Sequence, residues 1–201
     1  TVMKRIEDYN KTLPILELYR CVQSEGSRFG RPTIAVRTTG CTHRCFFGEG
    51  GWCDSFYTSI HPEKGTFSFN DIIKIYDENP LSNSVPVLDA VTPQGKVADE
   101  RMIKQHNKFR LNYEKIRQTL DYHTDYHYKP VWDGTGENLK EIEDFRIKME
   151  IPKDKTYIMP AGDTRETLIE MYPLVFEMCA EHGYNMTGRD HIIAFDTERG
   201  V

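Results

Sequence analysis

Cys41-Thr-His-Arg-Cys45-Phe-Phe-Gly-Glu-Gly-Gly-Trp52-Cys53-Asp54 decides how the chain is read. Two cysteines stand four residues apart, and a third follows an aromatic residue. Three thiolates within one short run can converge on one metal centre. In an iron–sulfur cluster, three cysteine ligands leave one iron open to a substrate or cofactor. Zinc is the competing assignment, with His43 or His61 as its fourth ligand. Spacing alone leaves cluster and zinc both open.

Composition narrows the surroundings of this loop. The chain has 201 residues, enough for one domain with a real core. It is 38% hydrophobic and 28% charged, as ordinary water-facing globular chains are. No apolar run approaches the ~20 residues of a membrane span. The polar start, Thr1 to Tyr9, reads as no signal peptide. Five cysteines, three of them clustered, fit a reducing compartment and metal chemistry better than a disulfide framework. A cytoplasmic setting is expected. The net charge of −5 argues against a surface that binds nucleic acid directly. The basic stretch from Lys104 to Lys115 reads as a solvated helix face.

Outward from the loop, the pattern alternates strands and helices. Pro14 to Val22 reads as a strand, and Thr33 to Arg37 as a second one feeding the cysteine loop. Ser68 and Asp71 form a capping box before a helix carrying Ile72, Ile73 and Tyr76, which Pro80 ends. Met102, His106, Phe109, Tyr113, Ile116 and Leu120 fall on one stripe, predicting a long helix with His106 as a packing residue. His123 and His127 have helical metal-ligand spacing. Tyr126 to Trp132 nevertheless reads as a strand, on which they would stand far apart. Leu139 to Met149 is a helix and Thr156 to Met159 a buried strand. Asp163, with Glu166, is expected to cap the next helix. Leu168, Ile169, Tyr172, Val175, Phe176 and Cys179 are expected to be its buried face, Pro173 its kink and Gly183 its end. His191 to Phe195 reads as a last strand. Glu78 to Ala98 has no period, and a structureless loop of that length inside a domain is anomalous.

With these elements placed, the neighbours of the cysteines carry a resemblance. Glu17-Leu-Tyr-Arg-Cys-Val22-Gln23-Ser-Glu25-Gly26 is similar to the opening strand and Gln-Gly-Glu-Gly of the 7-carboxy-7-deazaguanine synthase family of radical S-adenosylmethionine (SAM) enzymes. Gly30 to Cys41, Trp52-Cys53-Asp54-Ser55, Tyr157 to Gly162, Arg189-Asp-His191 and Arg199-Gly-Val201 resemble it too. The chain departs from the pattern in four places. Seven residues separate Cys45 from Cys53, Ser24 replaces a glycine, Ala161 stands where an acid is common, and no Gly-Gly-Glu-Pro-like SAM-binding segment follows the first helix.

The resemblance implies one radical SAM domain over residues 1–201 with a cluster-binding loop at 41–53. Its fold would be α/β, a partial (β/α) barrel with mainly parallel strands, incomplete near residues 80 and 81, which are expected not to be neighbours in the natural chain. The implied cofactors are a [4Fe–4S] cluster on Cys41, Cys45 and Cys53, SAM, and Mg2+ held by Ser55. Val22, Gln23, Glu25, Arg37 and His191 would bind a pterin substrate. Trp52, Asp54, Met159, Pro160 and Gly162 would contact SAM. The implied reaction is a carbon–nitrogen lyase step of queuosine biosynthesis. The implied partners are an electron donor such as flavodoxin or ferredoxin and a second copy of the chain. Two alternatives remain: another radical SAM enzyme, such as a glycyl-radical activating enzyme, and a zinc-stabilised binding module.

Overall fold

The computed structural model describes residues 8–41, 56–58, 62–78, 103–123 and 125–198. The expected break at residues 80 and 81 lies outside them. Strands β1 (Ile15–Val22) and β2 (Pro32–Thr38) form an antiparallel hairpin. Its register pairs Glu17 with Arg37 at one end and Val22 with Pro32 at the other. The chain leaving β2 is pinned by the Thr58 carbonyl, which accepts the Gly40 and Cys41 N–H groups. Helix α1 (Phe69–Glu78) begins as its sequence dictates. The Ser68 hydroxyl accepts the Asp71 N–H, and the Asp71 carboxylate accepts the Ser68 N–H.

The rest of the described chain builds a three-stranded parallel sheet in the order β3 (Val131–Trp132), β4 (Tyr157–Pro160), β5 (Asn185–Met186). Helix α4 (Gly136–Lys148) joins β3 to β4, and α5 (Arg165–His182) joins β4 to β5. Parallel neighbours require such crossovers. The expected strands at Tyr126–Trp132 and Thr156–Met159 are both here, the first lengthened by a parallel bridge between Tyr128 and Thr156. The fold is therefore mixed α/β. Its parallel order holds for the C-terminal sheet, whereas the N-terminal pair is antiparallel because only nine residues, too few for a crossover, join β1 to β2.

Alternation gives the parallel sheet two faces. Tyr128, Trp132 and Ile158 face the helices and share a core with Ile142, Val175, Met178 and Cys179. Tyr128 stacks on Phe145 at 5.2 Å between ring centroids. Cys179 is thus a core residue, as its helix position implies, and burial pushes its thiol up to about 11. The residues between them, His127, Lys129, Val131, Tyr157, Met159 and Thr187, belong to the opposite face.

Four expectations change. The stripe from Met102 to Leu120 is two helices, α2 (Ile103–Arg110) and α3 (Tyr113–Tyr122). Asn112 breaks it by capping α3, its side chain accepting the Lys115 N–H. Helix α5 is capped by Thr164, not Asp163, in a reciprocal box with Thr167. Ile169 and Phe176 are 57% and 68% exposed. Leu168, Val175 and Cys179 are buried as expected, and the buried stripe continues through Met178 rather than across Ile169 and Phe176. Gly183, with φ at 71°, ends α5 in the left-handed conformation. Finally, His191 to Phe195 is not a strand but most of helix α6 (Asp190–Phe195). Its terminal carbonyls at Ile193 and Ala194 accept from the Arg165 guanidinium, a cation at a helix C-terminus. His106 is 1% exposed, the packing residue its stripe implied.

Ile158 is fully buried at the centre of the parallel sheet. Ile158→Ala is expected to cost about 2–5 kcal/mol in urea unfolding, because a sheet pinned on both sides relaxes little into the cavity.

Candidate functional site

The turn after β1 is where distant parts of the chain meet. It is closed by paired backbone bonds: the Gln23 N–H donates to the Arg31 carbonyl and the Gly30 N–H to the Gln23 carbonyl, both at 2.8 Å. This turn docks on the sheet face away from the helices. The Gly26 N–H donates to the Thr187 hydroxyl, beyond the end of β5. His127 lies beneath it, with Nδ1 3.1 Å from the Ser27 hydroxyl and its ring edge-on to Tyr157. His127 therefore packs the turn, and no group of three potential metal ligands occurs among the described residues.

Glu25 is the centre of the docked turn. Its Oε2 lies 2.8 Å from the Lys129 ammonium, which is 3% exposed. Its Oε1 lies 3.5 Å from Arg189 Nε and 3.8 Å from His191 Nδ1. His191 Nδ1 is also 2.7 Å from the Ser24 hydroxyl. Glu25 and His191, expected from the sequence to share a ligand, are thus brought together.

Arg189 and His191 come from the start of α6, which is fixed from behind. The Tyr172 hydroxyl accepts the Arg189 N–H and donates to the Asp190 carboxylate at 3.0 Å. Burial raises the Tyr172 phenol above its ordinary value. Arg189 Nη1 reaches across to the Gly162 carbonyl, just beyond β4. Gly162, Thr187 and Arg189 all follow the carboxyl ends of parallel strands, where open α/β sheets place their ligands. The cluster of one carboxylate, one ammonium, one guanidinium and one imidazole suits a polar ligand with both donors and an anionic group.

Sequence reasoning missed Lys129 and missed any role for Arg189 beyond its motif. Only the alternation that puts Lys129 on the face opposite Tyr128 could have flagged the lysine. Of the other expected residues, Val22 is exposed at the hairpin's end, and Met159 and Pro160 are buried in β4. Arg37 pairs with Glu17 at 2.7 Å and donates to the Tyr57 hydroxyl at 2.6 Å. By register it sits at the other end of the hairpin from Glu25, about 17 Å of strand away. Cys41 is exposed immediately after that end. Cys45, Trp52, Cys53, Asp54 and Ser55 lie outside the described residues.

The chain is 25% identical to the 7-carboxy-7-deazaguanine synthase of Rhodopirellula baltica, over 94% of its length and 89% of the relative's. The Pyrobaculum aerophilum enzyme of the same name is 21% identical over 92% and 96%. That of Halobacterium salinarum reaches 48% identity over 61 residues, which cover 30% of this chain and 22% of the relative. The first two alignments span 236 and 227 positions against 201 residues here, so both relatives hold residues that this chain lacks. Among solved structures, QueE from Escherichia coli superposes with a TM-score of 0.51 at 14% identity, covering 88% of this chain and 93% of that one. No protein-family model matches. The resemblance to the 7-carboxy-7-deazaguanine synthases therefore extends over nearly the whole chain and not only over its motifs.

Gly26 adopts φ of 72°, and a Cβ there would stand 2.9 Å from His127 Nε2. Gly26→Ala should destabilise the chain by about 1 kcal/mol or more in urea unfolding. Replacing Gly30, which has φ of 80° but open space around it, should cost only the backbone part.

Proposed function

We propose that this chain is a 7-carboxy-7-deazaguanine synthase with a partial radical SAM (β/α) barrel. It would convert 6-carboxy-5,6,7,8-tetrahydropterin to 7-carboxy-7-deazaguanine, the product differing from the substrate by one ammonia. The observation that carries this reading is the meeting of Glu25 and His191 at the carboxyl edge of the parallel sheet. Two residues read from separate family motifs converge there on one site.

Each residue has a chemical task in this reading. Gln23 and Glu25 present an amide and a carboxylate to the donor-rich edge of the pterin, and His191 closes on the same head group. Arg37 offers a planar fork to the substrate carboxylate, oriented by Glu17 and Tyr57. Cys41, Cys45 and Cys53 are a donor set that fits a [4Fe–4S] cluster with one open iron. Cys41 already stands exposed at the end of the hairpin, its N–H anchored to the Thr58 carbonyl. When bound, the cluster with SAM supplies the one-electron chemistry that generates the radical abstracting hydrogen from C6 of the substrate. Gly162 and the end of β4 would flank SAM, with Trp52 and Asp54. Ser55 offers a hard oxygen to Mg2+. A flavodoxin or ferredoxin as electron donor and a second copy of the chain are the partners this reading carries.

Anaerobic reconstitution with iron and sulfide, followed by SAM and the tetrahydropterin, tests it. The expected result is a brown protein that forms the deazaguanine product. Cys41→Ala should lose both the colour and SAM cleavage. Full zinc occupancy without iron, in protein prepared anaerobically, would instead establish the zinc-stabilised module.

Arg37→Lys retains the charge but loses the paired geometry. It should weaken tetrahydropterin binding by about 1.5–3 kcal/mol, measured as KM, while SAM binding survives. Unchanged turnover at low tetrahydropterin would remove Arg37 from the carboxylate site.

A further inference from the structure

We propose that Lys129 is a positioning residue for the substrate head group, fixing the Glu25 carboxylate in the orientation that receives it. The inference rests on the proposed reaction and adds to it a residue outside all the quoted motifs. Lys129 is the most buried charged group of the cluster and makes its shortest ion pair, 2.8 Å to Glu25 Oε2. A lysine so deeply buried is held only where a partner repays its lost hydration. Its place is set by the sheet: Tyr128 and the Thr156 bridge fix the strand, and alternation turns Lys129 toward the hairpin turn.

A carboxylate has four lone-pair sites. Lys129 occupies one on Oε2 and thereby sets the rotation of the carboxylate plane. Oε1 is then turned toward His191 and Arg189 at 3.8 and 3.5 Å, distances too long for good hydrogen bonds and open to tightening around a ligand. A pterin presents adjacent amino and ring N–H donors, which match the two oxygens of one oriented carboxylate. Without Lys129, Glu25 would rotate freely within the cluster, and Arg189 and His191 would compete for both of its oxygens. Lys129 touches no substrate atom in this arrangement and acts through Glu25.

The test uses reconstituted holoenzyme carrying Lys129→Met, Lys129→Arg, Glu25→Gln and the Glu25→Gln/Lys129→Met pair. Two quantities are read: equilibrium binding of the tetrahydropterin without reductant, and steady-state KM and kcat for both substrates. Lys129→Met should raise Kd and KM for the tetrahydropterin about tenfold or more, leaving KM for SAM within about twofold. Lys129→Arg should recover binding to within about threefold of wild type, since guanidinium keeps the charge. The double variant should bind no more weakly than Glu25→Gln, because the lysine acts only through that carboxylate. Should the methionine variant not fold, Lys129→Gln keeps a donor without the charge and gives the same readings.

Wild-type affinity in the Met or Gln variant overturns the inference. So does an Arg variant as weak as Met, or additive losses in the double variant. A wild-type protein that neither binds nor turns over the tetrahydropterin overturns the proposed reaction and this inference with it.

Discussion

The docking of the β1–β2 turn on the parallel sheet is the constraint on which the site depends, and the buried Lys129–Glu25 pair is its centre. An ion pair taken out of water regains by Coulomb attraction roughly what it loses in hydration, so its net stabilisation is small. Its value lies in what misplacement costs. A turn docked one residue out of register would leave an ammonium buried without its carboxylate, a penalty of several kcal/mol. The neutral contacts around the pair point the same way. The Gly26 N–H reaches the Thr187 hydroxyl in the same docked position that sets Glu25 on Lys129, and a Cβ on residue 26 would crowd the His127 ring beneath the turn. Hydrophobic burial assembles the helix side of the sheet. Polar complementarity selects what lies on the other side.

Elements written in local chemistry were legible in the sequence. The Ser68–Asp71 box needs only two residues three apart, and it forms as read. Strand β4 was legible as a short buried run, and the β3 stretch through its aromatic and β-branched residues Tyr126, Tyr128, Val131 and Trp132. The same reasoning fails at His191 to Phe195, where the apolar run of four from Ile192 is as compatible with a buried helix as with a strand. What decides it is Arg165, on the preceding helix, satisfying the last carbonyls. At Asn112 the apolar stripe continues in phase across the break, so periodicity has nothing to report. The cap alone marks the boundary. The Glu25–His191 meeting was legible through motif resemblance. Lys129 was not, because a lysine after a tyrosine in a strand looks like any solvent-facing alternate.

The correction at α6 bears directly on the chemistry. On a strand, positions 189, 191 and 193 would share one face and stand in a row. At the start of a helix, the backbone turns instead, and Arg189 and His191 approach Oε1 of Glu25 from two directions. Asp190 points back to Tyr172 between them, so helix α5 sets the angle at which α6 begins. Arg189 then spans two regions, with Nη1 on the Gly162 carbonyl after β4 and Nε toward the carboxylate on the hairpin turn. The planar guanidinium thus stands between the β4 loop, which it bonds through Nη1, and the Glu25 carboxylate, 3.5 Å from Nε. The residues expected to flank a cofactor and those expected to hold the substrate are separate in sequence, yet here they share a single guanidinium.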